Sequence, residues 1–106
     1  MFSNDGNGQG IAKNIQIVEW LKADLITSVS VLYKGMVAGN EERLLDALSG
    51  IIITSYVLGR RIGYNFSKID KAMEARLRQG IEETHEVEKR YGDLTMLLSH
   101  LADRKG

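Results

Sequence analysis

A chain of 106 residues in which 14 Lys and Arg balance 14 Asp and Glu has the length of one domain, able to bury roughly 65% of its unfolded surface. Its zero net charge argues against a duplex nucleic-acid binder that works by neutralising phosphates. The absence of cysteine excludes a disulfide framework and thiolate metal sites and suits a reducing cytoplasm, the expected location, and no run of about 18 apolar residues offers a membrane span.

The opening MFSNDGNGQG lacks the basic and apolar regions of a secretory leader and reads as a flexible tail over residues 1–10, ahead of one helical domain over 11–106. The first helix is predicted over about 11–38, its apolar face marked by Ile11, Ile15, Val18, Leu25, Val29, Leu32 and Met36. Gly39 is the expected left-handed cap. Asn40 restarts the chain as an N-cap, and Glu41 and Glu42 suit the positive end of a second helix running to about Arg61. Within that helix Ile51 to Leu58 is apolar or small at nearly every position. A helix apolar all round needs partners on every side, which predicts a bundle core completed by a second copy.

After an exit at Gly63, Ser67 and Asp70 have capping-box spacing and start a third helix whose apolar face is Ile69, Met73, Leu77 and Ile81. Val87, Tyr91, Leu94, Leu98 and Leu101 continue in four-three steps. Gly80 and Gly92 either interrupt one long helix or separate shorter ones, because an interior glycine costs only about 1 kcal/mol. Short connections between long helices imply antiparallel neighbours, so the expected architecture is an all-α bundle of about four helices.

Few constellations carry chemistry. Glu82 and His85 have the Glu-x-x-His spacing of half a di-iron site, but His100 has no matching Glu, so a solvated charged face is the expectation. Six cations between Arg60 and Arg78 oppose two carboxylates, Asp70 and Glu74, and four glutamates follow at 82–88. Ion pairing between these blocks is the simplest reading, and phosphate binding the functional one.

With the helices laid out, the stretch from EWLKADL to AMEARLRQG, about Ile11 to Gly80, resembles the MazG family of all-α nucleoside triphosphate pyrophosphohydrolases, in particular its small MazG-like members. The resemblance implies a dimer or dimer of dimers, a nucleotide ligand and, in an active member, Mg2+. Active members hold the ion between Glu-Glu-x-x-Glu on the first helix and Glu-x-x-Asp on the second, and use it to activate water against the α-phosphoryl group. Here the first motif falls on Ala23, Asp24 and Thr27, and the second on Ala47 and Gly50. A slide of one residue brings Asp46 into the Glu place and Ser49 into the Asp place. The metal ligands implied are Asp24 and Asp46, with Glu42 or a second subunit completing a reduced site. The phosphate contacts implied are Lys71, Arg76 and Arg78, with Ala75 where the closing turn has Asn. No catalytic residue is assigned. Three functions follow in order of preference: a degenerate member that binds a nucleotide or partner, a working metal-dependent pyrophosphohydrolase, and a structural dimerisation module.

Overall fold

The computed structural model describes residues 10–105, and among these all regular structure is helical, as the periodicity predicts. In chain order the helices are α1 (Ile11–Ala38), α2 (Glu41–Arg61), α3 (Phe66–Glu83), α4 (His85–Tyr91) and α5 (Asp93–Lys105). None is long and apolar enough to cross a membrane. The tail expected over residues 1–10 lies, apart from Gly10, outside the described residues. The chain divides after Phe66 into two compact units.

The first unit is the antiparallel hairpin of α1 and α2. Its turn follows local cap chemistry: Gly39 takes φ 67°, ψ 29°, a conformation without cost only for glycine, and Asn40 Oδ1 accepts from the Arg43 amide at 3.1 Å. The register is fixed by close approaches. Gly35 lies against Leu44 and Arg43, Gly50 against Ser28, and Asn14 hydrogen-bonds the Arg61 carbonyl. The α1 seam is therefore Asn14, Val18, Leu21, Leu25, Ser28, Leu32 and Gly35, all half-buried or buried and in strict four-three steps. This corrects the predicted face at four positions, since Ile11, Ile15, Val29 and Met36 are exposed. Asn14, Ser28 and Gly35 share the seam with Val18, Leu21, Leu25 and Leu32, and the small ones let the two backbones approach. A Cβ on Gly35 would stand 3.2 Å from Leu44 Cδ2. On α2 the matching seam is Leu44, Ala47, Ile51, Thr54 and Leu58, while Ile52 and Ile53 point outward.

The second unit holds α3, α4 and α5. Ile69, Met73, Leu77 and Ile81 form the inward face of α3, as predicted. The helix starts one residue before Ser67, so Ser67 lies in its first turn and not at the N-cap. Phe66, its first residue, packs edge-on against Tyr56 at 5.8 Å. Gly80 stays helical and marks a close approach: a Cβ there would meet Leu94 Cδ1 at 3.0 Å. The break falls instead at Thr84, whose hydroxyl donates to the Gly80 carbonyl at 2.6 Å, and again at Gly92, φ 68°. Glu88, seven residues after Ile81, keeps the spacing of the α3 face and is buried, while Val87 and Tyr91 are exposed, against the predicted continuation of the stripe, which resumes with Leu94, Leu98 and Leu101.

Glu88 joins the last two helices. Its carboxylate accepts from the Leu94 amide at 3.1 Å, the Thr95 amide at 2.8 Å and the Thr95 hydroxyl, supplying the N-terminus of α5 with an acceptor and a negative charge. The Thr95 hydroxyl bond, aided by the two amides, holds its pKa below the usual glutamate range despite the opposing cost of burial. With a folded pKa below the unfolded one, this contribution is complete above the unfolded pKa and is lost as pH falls through the folded value. Thermal unfolding followed by circular dichroism should show Glu88→Gln less stable than the parent at pH 7, with the difference shrinking in acid. A constant difference down to pH 3 would assign Glu88 no ionic role.

Candidate functional site

The resemblance places the family's second-helix carboxylates at positions 47 and 50, and both positions lie in the hairpin seam. Ala47 is 4% exposed, among the most buried residues described. At position 50 a Cβ would already stand 3.4 Å from Ser28 Oγ, so an Asp side chain would extend into α1. On α1, Ala23, Asp24 and Thr27 are exposed.

The register also separates the two implied metal ligands. Ser28 faces Gly50, so Asp24, one turn earlier, is level with about Thr54. Asp46 lies two turns from Thr54, about 12 Å along the axis at about 1.5 Å per residue. A magnesium ion with bonds of about 2.1 Å does not span that distance. Among the described residues no group of three His, Asp or Glu side chains is placed to hold a metal ion. Glu82 and His85 also fall on different helices, α3 and α4. The residues present in one chain therefore do not fit the family's ion.

Asp46 does meet Glu42, one turn away, in an open groove of about 660 Å³ beside the hairpin turn, lined also by Val31, Lys34, Asn40 and Arg43. Lys34 and Arg43, which sequence reasoning passes over, set two cations beside the two carboxylates. The available signal was the turn itself, which brings the last turn of α1 beside the first of α2. The three cations implied as phosphate contacts do not share a face. Lys71 and Arg78 are seven residues apart on one side of α3, whereas Arg76 is about 140° round from Lys71 at 100° per residue. Arg76 borders an apolar groove with Ile69, Met73 and Leu97, and Arg78 a different one with Ile81, Glu82 and Leu98.

A sequence model of the MazG-like family matches residues 11–94, most of the chain, including both seam helices and the whole of α3 and α4. The chain belongs to the MazG-like family. No curated protein and no solved structure matches it. Membership relates this MazG-like protein to the nucleoside triphosphate pyrophosphohydrolase superfamily, and the match runs past Gly80, where the sequence resemblance ends, into the elbow built on Glu88.

Proposed function

We propose that this MazG-like protein is a catalytically degenerate relative of the pyrophosphohydrolases, acting by binding a nucleotide or a protein partner. The observation that carries the reading is the burial of Ala47 in a seam closed by Gly50 and Ser28. Hydrolysis of the α-phosphoryl bond in this superfamily depends on a carboxylate cage, and a seam packed without carboxylates has neither charge nor room for one. The test is pyrophosphate release from a panel of ribo- and deoxynucleoside triphosphates with magnesium or manganese. The expected result is no release above background from folded, helical protein. Release that Asp24→Ala and Asp46→Ala both abolish would establish the active-enzyme reading instead.

Self-association accompanies this reading, with a second copy as the partner. Beside its seam, α2 carries a second four-three series, Leu45, Leu48, Ile52, Ser55 and Gly59, and α1 carries Ile15, Ile26, Val29, Tyr33 and Met36. Each series lies about a quarter turn from its own seam. Antiparallel helices count round in opposite senses, so both fall on the same side of the hairpin. The Ser55 hydroxyl donates to the Ile51 carbonyl at 2.7 Å and adds no unmet polar group to that face. Lys22, which interrupts it, is ion-paired with Glu19 at 2.6 Å. The large side chains of the face are 45% to 72% exposed. Together they leave on the order of 1,000 Å² of apolar surface, above the roughly 300–600 Å² patch of a typical monomer and near the roughly 800 Å² per partner of a standard interface. A two-helix layer with one such face is half of a four-helix bundle.

A further inference from the structure

The end of α2 is closed by its own backbone. The Tyr64 amide donates to the Gly59 carbonyl at 2.9 Å and the Gly63 amide to the Arg60 carbonyl at 3.1 Å, with Gly63 at φ 116°, a Schellman arrangement. The Arg61 carbonyl accepts from Asn14 Nδ2 at 3.2 Å, and Arg61 Nη1 donates back to Asn14 Oδ1 at 3.4 Å. Arginines in a last turn commonly serve those carbonyls and the negative end of the helix dipole. Here backbone amides and Asn14 already serve three of them, which leaves guanidinium donors for another acceptor.

Arg60 and Arg61 line an open notch of about 410 Å³ with Asn14, Tyr64, Asn65 and Phe66, and among the described residues no carboxylate lines it. Phe66 is steadied by the edge-on ring of Tyr56. The volume lies within the range of small-molecule sites. Two fixed forks of N–H donors with amide side chains beside them match the oxygens of a phosphate group, which arginine recognises through paired hydrogen bonds. We propose that this notch binds a phosphate group, whether carried by a nucleotide or free as pyrophosphate. Arg60 and Arg61 are the donors, and Asn14 positions Arg61. The site goes beyond the binding reading above and puts the phosphate contacts on Arg60 and Arg61 at the end of α2, in place of Lys71, Arg76 and Arg78.

Amide chemical shifts of the full chain, titrated with inorganic pyrophosphate and separately with adenosine triphosphate, test the site. The expected result is a response to both ligands at Gly63, Tyr64 and Asn65, weakened about tenfold or more by Arg60→Gln, in line with the loss of a charge-assisted pair. Arg60→Lys, which keeps the charge without the fork, should fall between, and it carries the test if Arg60→Gln fails to fold. Arg78→Gln should leave the affinity unchanged. Shifts confined to α3, equal weakening by Arg78→Gln, a response to nucleotide without one to pyrophosphate, or no response at millimolar ligand would each overturn the proposal. Pyrophosphate release measured in the same samples bears on the degenerate-enzyme reading alone. Turnover sinks that reading, while a response at Gly63 to Asn65 still upholds the notch.

Discussion

Ala47→Glu should cost about 3–5 kcal/mol of stability, the scale of an unpaired charge forced into a packed interior. Small domains hold only about 5–15 kcal/mol in total, so the variant should unfold at a far lower urea concentration than the parent or fail to fold. The substitution puts at position 47 the glutamate that the resemblance implies for a metal-binding member, which makes the expected damage informative. Its side chain projects into the α1–α2 seam, where Ala47 is 4% exposed. Gly50→Ala is the companion change. Its Cβ, 3.4 Å from Ser28 Oγ, is at ordinary contact distance, and the gain in helix propensity should raise stability by up to about 1 kcal/mol. Urea unfolding followed by circular dichroism, with and without magnesium, checks both. If Ala47→Glu unfolds like the parent, or gains stability on adding magnesium, the seam opens into a metal-capable cleft and the retired-site reading loses its basis.

How much of this was legible in the sequence depends on the range of the forces involved. The hairpin turn was legible because Gly39 and Asn40 act on their own neighbouring amides and carbonyls. The bounds of α1 and α2 followed with it. The seam was not legible, because α1 carries two apolar series a quarter turn apart and a hydrophobicity pattern merges them. Ile11 and Ile15 looked like core while Asn14, Ser28 and Gly35 form the seam. What separates the series is how closely two backbones can approach, and that depends on residues of the other helix. The break at Thr84 left no signal either, lacking proline, glycine or a side-chain cap at that residue, and Glu88, seven residues after Ile81, is buried where the apolar series assigned the inward places to Val87 and Tyr91. The family could be read from helix pattern alone. Its site could be read only as positions implied by the resemblance, and the structure packs two of them, Ala47 and Gly50, between helices.

Leu48→Glu combined with Ile52→Glu should turn a sedimenting dimer into a monomer while leaving helix content intact. Both residues belong to the second α2 series, one turn apart, 45% and 55% exposed in the single chain. In an isologous interface each substitution acts twice, so four carboxylates would face one another across the two-fold axis. Removing the apolar contacts and burying like charges should raise the dissociation constant at least about a thousandfold, roughly 4 kcal/mol. Ile53→Glu is the control. Ile53 is 62% exposed, but at 100° per residue it lies more than a quarter turn from both series, so a charge there should leave association unchanged. Analytical ultracentrifugation over a concentration series separates the outcomes. A parent chain that sediments as a monomer at every concentration would remove the second copy from the account, and equal loss of association in Ile53→Glu would place the interface elsewhere on α2. Loss confined to the Leu48 and Ile52 pair is the result expected of a helix that carries two seams, one for its own hairpin and one for its copy.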